Sequence, residues 1–252
     1  MIKFFRKIRQ NSLMKNKTGK YFKYAIGEVL LVVVGILIAV QINNWNENKN
    51  SRIREIKTLS QLNEDFKENF KEISGIKEYM AGTISAGRKI INHLENETKV
   101  TDSLRFWVER YSGANIFNKA NTTYKNIENS EENIITNDSI RLQITLMYET
   151  EFENIHKREM MMKEDHYHRY TTELHKNFKT GKIADKWIEG SFLDVNTPIN
   201  FTELKKNELY KNTFVDLYNF RLLRIKWLTQ TIKSLETLIS DIDREIKLLK
   251  SN

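Results

Sequence analysis

The chain has 252 residues, a formal net charge of +8, one proline and no cysteine. Without cysteine there are no disulfides, thiolate metal sites or cysteine nucleophiles. The charge excess comes entirely from Lys3, Arg6, Lys7, Arg9, Lys15, Lys17, Lys20 and Lys23; residues 24–252 hold 33 basic and 33 acidic residues, so the positive net charge is not a nucleic-acid signal.

Residues 1–23 read as a basic arm. Phe4, Phe5, Ile8 and Leu13 are interleaved with its cations and no acid is present. This pattern fits a short helix lying on an anionic membrane leaflet, and equally a topology signal without structure.

The arm leads into an apolar span, Tyr24 to Ile42. Nineteen helical residues reach about 28 Å, close to the ~30 Å hydrocarbon thickness of a bilayer. Ten of the twelve residues from Val29 to Val40 are Val, Leu or Ile, which favours insertion by about 3 to 6 kcal/mol. Glu28 opposes this, but it sits only about 6 Å inside the span, near enough to the interface to stay hydrated. A cleaved signal peptide is the rival reading. It calls for a small-x-small cleavage site after the apolar stretch, and Ala39-Val40-Gln41 places Gln at a small position. A buried core helix is a third reading. We read the span as a retained anchor. The basic arm then stays in the cytoplasm and residues 43–252 lie outside it. Gly27, Gly35 and Ala39 share one helical row of small residues, and a helix–helix contact in the membrane is expected there.

After the span, Ile56, Leu59, Leu62, Phe66, Phe70, Ile73, Ile76, Met80, Ile84, Ile91 and Leu94 keep helical spacing. They predict one helix from about Lys20 to Leu94, with a candidate break near residues 43–50. Trp45 stands where an outer-leaflet aromatic anchor belongs. Gly75, Gly82 and Gly87 weaken this helix without ending it. Two short helices are expected near 104–111 and 123–130, capped by Thr101 and Asn121.

A third long helix is expected over residues 140–178. Its predicted inner face is Ile144, Met147, Phe152, Ile155, Glu159, Met162, His166, Tyr170, Leu174 and Phe178. Asn137-Asp138-Ser139 marks its start. Four of the five histidines, His156, His166, His168 and His175, fall in this helix. Glu153 with His156 forms a Glu-x-x-His pair, the pattern that carboxylate-bridged di-iron bundles supply from two helices. Asp165 with His168 offers a second carboxylate–histidine pair, but on the same helix and about 18 Å away, too far to share one site. Solvated or half-buried histidines are the expected reading.

Residues 180–201, with Gly181, Gly190 and Pro198, read as the longest loop. The last helix carries Phe214, Tyr218, Arg221, Ile225, Leu228, Ile232, Leu235, Ile239, Ile242, Ile246 and Leu249 at alternating spacings of four and three. That is a heptad seam, and it predicts coiled-coil-like packing. Trp107, Trp187 and Trp227 are expected to be core or loop anchors. No glycine-rich phosphate loop, Gly-x-Ser-x-Gly or His-Glu-x-x-His occurs, so no enzyme activity and no cofactor are expected.

The opening MIKFFRKIRQ and the block GKYFKYAIGEVLLVVVGILIAVQINNWNE resemble a family of uncharacterised single-span membrane proteins of Gram-negative bacteria, a domain of unknown function. TTYKNIENSEENIITNDSIRLQITLMYE at 122–149 is similar too, except that Ser130-Glu131 stands where the family tends to have Ser-Gly. The resemblance implies an inner-membrane protein with a helical periplasmic domain. It brings no activity.

The expected fold is therefore all-α: a cytoplasmic arm (1–23), one transmembrane helix (24–42) and an up-down helical bundle in the periplasm (43–252). The expected role is a membrane-anchored scaffold or interaction module. Its partners would be the lipid bilayer and an envelope protein or a second copy of the chain, and no nucleic acid. A sensory or ligand-binding bundle and a metal-binding bundle are the alternatives.

Overall fold

The computed structural model describes residues 18–130, 133–179 and 196–251. Lys3, Arg6, Lys7, Arg9, Lys15 and Lys17 lie outside them, as do Glu131, Trp187 and most of the expected 180–201 loop. Apart from one two-residue strand pair, the described residues form helices and their connections. The chain divides into two compact units, Met1–Glu55 and Ile56–Asn252.

Helix α1 spans Thr18–Asn96 and is helical throughout, including residues 43–50 where a break was a candidate. In the first unit its apolar residues are uncovered. Every Val, Leu and Ile from Val29 to Ile42 is at least 44% exposed. Trp45 is exposed as well, with Lys49 Nζ 5.6 Å from its ring centroid.

The second unit holds the core. Helix α2 (Asp102–Ser112) starts where the Thr101 side chain accepts the Leu104 N–H. Helix α3 (Thr122–Glu128) begins after Asn121, whose side chain makes no capping hydrogen bond; the cap expected there is absent, and the Asp65 carboxylate takes the Thr123 N–H instead, at 3.1 Å. The third helical run opens with Asn137, which accepts from the N–H groups of Ser139 and Ile140. It is not one α-helix. Helix α4 (Asp138–Leu146), a π-helical turn (Met147–Phe152), α5 (Glu153–Met161), a second π-helical turn (Met162–Tyr167) and α6 (His168–Asn177) follow without a gap. Nine of the ten expected inner residues are buried, and His166 is half-buried.

Strand β1 (Phe178–Lys179) pairs antiparallel with β2 (Thr197–Pro198), with Phe178 opposite Pro198. No apolar period marks this pair in the sequence. Helix α7 (Phe201–Lys206), also unexpected, is capped by Asn200, which accepts from Glu203 N–H. Helix α8 (Glu208–Ser251) completes the unit.

Two apolar clusters fill this unit. One gathers Leu59, Phe66 and Ile73 of α1, Tyr148 and Phe152 of the third run, and Leu228, Leu235 and Ile242 of α8. The other gathers Ile90 of α1, Tyr111 of α2, Tyr170 of α6, and Tyr210, Phe214 and Leu217 of α8. Along α8 the clusters are separated by Arg221 and Arg224, both buried; along the third run they are separated by buried Glu159.

Candidate functional site

The chemistry of the second unit concentrates in that charged belt. Arg221, Arg224 and Glu159 stand at core-facing positions of α8 and α5, where apolar side chains would otherwise continue the stripe. Full burial of such groups is costly unless each finds charge or hydrogen-bond partners. Apart from the Arg224–Glu159 pair itself, their partners come from Tyr111 at the end of α2 and from residues 113–121, which link α2 to α3 without secondary structure. Within this segment Phe117 is buried, and the backbone groups that face the helices have no ladder to join, so they bond to side chains.

Arg221 donates through Nη1 to the Tyr111 carbonyl and through Nη2 to the Gly113 carbonyl at 2.9 Å. Its guanidinium carbon lies 4.4 Å from the Tyr111 ring centroid. Arg224 Nη2 donates to the Asn115 carbonyl at 2.7 Å and to Glu159 Oε1. Glu159 Oε2 accepts the Phe117 N–H at 3.0 Å. The far side of the segment is held from α1. Asn118 N–H bonds Glu72 Oε1 at 2.9 Å, and Asn69 grips Ala120 twice, accepting its N–H at 2.7 Å and donating to its carbonyl at 2.9 Å. Asp65, Asn69 and Glu72 lie on one helical face, which is why three side chains of α1 can line up along one extended strand of chain.

Gly113 is required by close approach. A Cβ there would lie 1.8 Å from the Tyr79 hydroxyl oxygen. Tyr79 is itself covered by Arg110, whose guanidinium carbon lies 4.2 Å from its ring centroid.

Burial sets the electrostatics of the belt. It pushes the Glu159 carboxyl above its ordinary range, against the opposing pull of Arg224. It draws the pKa of Arg221 and Arg224 down, although an arginine stays charged in either case. The tyrosines packed around Arg221 are raised by burial, Tyr170 to about 12 and Tyr111 well above its usual value. Among the described residues, Arg221 has no carboxylate partner, and Arg221 Nε, Arg224 Nε and Arg224 Nη1 have no hydrogen-bond partner.

A cavity of about 10 Å³ lies between Ile155, Arg158 and Glu159 on α5 and Phe220, Arg224 and Trp227 on α8. The Arg158 guanidinium carbon is 4.2 Å from the Trp227 ring centroid. The site contains fixed charges and a small cavity. Among the described residues it holds no pair of groups arranged as nucleophile and base, and the hydrogen bonds that its buried side chains make hold chain.

The histidines are not brought together. His156, His168 and His175 are exposed. His166 Nδ1 lies 2.7 Å from Asp216 Oδ2, with Arg169 on the same carboxylate at 3.2 Å. Glu153, of the Glu-x-x-His pair, is bound to Lys119, which lowers its pKa. Among the described residues no three His, Asp or Glu side chains are grouped closely enough to hold a metal ion. In the first unit, Lys23 is exposed and Gly27, Gly35 and Ala39 are exposed on α1. A Cβ at Gly27 or Gly35 would meet nothing within 4 Å. Sequence reasoning placed Glu159 and Arg221 on inner faces but missed Arg224 and Asn69. Charge at a core position was the available signal for the first two; Arg224 and Asn69 fall outside the strict seams.

The sequence matches a family of unknown function (DUF6090) over residues 28–186. The match includes most of the apolar span, α1 to α6 and the Glu159 side of the belt; α8 lies beyond it. The chain belongs to this family. No curated protein and no solved structure matches it.

Proposed function

We propose that this family member is a single-span protein of the bacterial inner membrane, with its basic arm in the cytoplasm. Its helical second unit, an up-down bundle with coiled-coil-like pairing along α8, would stand in the periplasm as a scaffold or interaction module. One observation carries the membrane reading. The residues from Val29 to Ile42 are strongly apolar and none of the apolar helix window they belong to is buried. The core helix of a soluble protein would be covered by its own chain, so lipid is the surrounding that suits this surface. The excess of cations on the N-terminal side supports the orientation.

The interaction reading rests on what the belt does. Its ionised groups hold residues 113–121 in place and offer no chemistry of their own, which suits a rigid presenting surface rather than an active site. Within the membrane, the row Gly27, Gly35 and Ala39 leaves room for a second copy to approach closely.

Washing membranes with alkaline carbonate tests the anchor: the intact chain should remain with the lipid fraction. A periplasm-dependent reporter enzyme fused after Asn252 should be active. Release by carbonate, or a silent reporter beside a functioning cytosolic one, would overturn the reading. Gly35→Ile should weaken self-association in a membrane two-hybrid assay, and an unchanged signal would remove that face from the proposal.

A further inference from the structure

Beyond the apolar span, helix α1 continues through residues 42–54 without cover: every residue over 26–54 is exposed. This stretch is poorly suited to stand as a lone helix. Five of the eight residues 43–50 are asparagine, a weak helix former, and helices in proteins owe most of their stability to packing one face. Side-chain bonds along it, such as Asn43 to Glu47 at 3.1 Å and Arg54 to Ser51 at 3.0 Å, are exposed, and such pairs add little.

One face of the stretch is marked for a partner helix. On an α-helix, Gly35, Ala39, Ile42, Asn46 and Ile53 fall within about 60° of one another. Steps of four, three, four and seven residues separate them, the spacing of a heptad seam. Ile42 and Ile53 are 62% and 55% exposed. Lys49, at the edge of this face, is drawn off it: its Nζ lies 5.6 Å from the centroid of the Trp45 ring, and Trp45 stands about 80° from the middle of the seam. The partner follows from symmetry. Copies anchored through the same span in the same orientation carry this stretch parallel and at equal height, so each seam residue meets its own counterpart. Asn46 then faces Asn46 of the second copy, and two amides answer each other's donors and acceptors. An unrelated apolar helix would leave Asn46 without that answer.

We propose that residues 42–54 of two copies of this chain form a parallel two-stranded coiled coil at the outer end of the span. Ile42 and Ile53 pack across its axis and the Asn46 pair fixes its register. Those three residues carry the inference; Gly35 and Ala39 only bring the seam into line with the small-residue face inside the membrane. The inference deepens the self-association reading above and rests on it.

The test uses the full-length chain in membranes of the expressing cell. The chain has no cysteine, so single introduced cysteines report proximity cleanly under oxidation by copper phenanthroline. Ile42→Cys, Asn46→Cys and Ile53→Cys sample the seam; Asn44→Cys, Asn48→Cys and Ser51→Cys sample the opposite face. Disulfide-linked dimer should form about tenfold more at the three seam positions, because only there do the Cβ atoms of the two copies approach bonding distance. Within the Ile53→Cys chain, Asn46→Lys should cut dimer yield about tenfold by setting two cations face to face, and Asn48→Lys should leave it unchanged. Equal yields on both faces, higher yields on the opposite face, or no dimer at any position would overturn the proposal. So would an Asn46→Lys chain that links as before. A carbonate wash of the same membranes separates this outcome from the reading beneath it: release of the chain overturns the anchor, whereas retention without the seam pattern overturns the coiled coil alone.

Discussion

The pair between Arg224 and Glu159 makes the sharpest quantitative prediction. Both side chains are almost wholly buried, 3% and 2% exposed. Replacing Glu159 by Met leaves the Arg224 charge inside the core and strands the Phe117 N–H; replacing Arg224 by Met strands the Glu159 carboxylate and releases the Asn115 carbonyl. Removing one partner of such a pair costs about 3 to 5 kcal/mol, so each single variant should lose that much. In the double variant both charges are gone. What remains is the buried Phe117 N–H without its side-chain partner, at about 1 to 3 kcal/mol, since exposed Asn115 can offer its carbonyl to water. The double variant should therefore be no less stable than the worse single variant, and the coupling energy should be about 3 kcal/mol. Urea titration of the full chain in detergent, followed by Trp227 emission, measures all four corners of the cycle. Additive losses would refute the reasoning, as would single variants that lose under about 1 kcal/mol, since either would mean that water reaches the pair.

Other consequences are separately measurable. Burial raises Tyr170 to about 12 and Tyr111 and Tyr210 well above the ordinary value of about 10. A raised pKa stabilises the fold fully below pH ~10 and loses that contribution as pH rises towards 12, about 3 kcal/mol for Tyr170 alone; phenolate absorbance should therefore appear together with unfolding in alkaline titration, and ionisation of these tyrosines in a chain that stays folded would contradict it. Gly87→Ala should cost about 1 to 3 kcal/mol, because its Cβ would lie 2.9 Å from both Tyr111 Cε2 and Tyr218 Cδ2. Gly75→Ala, with nothing within 4 Å, should stabilise by about 0.5 to 1 kcal/mol in the same denaturation assay. Asn69→Ala removes both bonds to Ala120, whose N–H has no other acceptor among the described residues, and should cost about 2 to 3 kcal/mol. Asn69→Asp should fail to rescue it, because a carboxylate oxygen would then face the Ala120 carbonyl.

Much of the second unit was legible because apolar spacing reports burial directly. The inner faces of α1, the third run and α8 follow from where Leu, Ile and Phe recur, and the helix starts at Thr101 and Asn137 follow from short polar side chains that accept N–H bonds. The α3 cap failed because a side chain of α1, 58 residues earlier, captured the N–H that Asn121 would have accepted. No local pattern reveals that exchange. The strand pair escaped for the same reason, since two residues carry no period and only their meeting partner makes them a ladder. In the belt, Glu159 and Arg221 could be seen as charges within apolar stripes. What they grip could not be seen, because residues 113–121 have neither period nor cap and are ordered only by contacts distant in sequence. Gly87, read as a mild weakness in a helix, is a packing requirement for a similar reason: Tyr111 and Tyr218 approach from two other helices.

The third run holds a geometry that unbroken α-helical spacing would not allow. Ile140 and Leu174 are both buried. Over the thirty-four residues between them, an unbroken α-helix would turn the inner face away by about 160°. The expected inner residues drift in just this way, with a step of five from Met147 to Phe152 and repeated steps of four from Met162 to Leu174. Each π-helical turn accommodates about one additional residue, and two of them bring the discrepancy down to roughly 40°. The two π-helical turns, Met147–Phe152 and Met162–Tyr167, sit where those long steps begin. Between them, α5 is the stretch that presents Glu159 to Arg224. Loss of one residue within Met162–Tyr167 would therefore turn that stretch into ordinary α-helix and leave Tyr170 and Leu174 facing the second apolar cluster. The π-helical turns are thus what allow one continuous run to face the first cluster, the charged belt and the second cluster in succession.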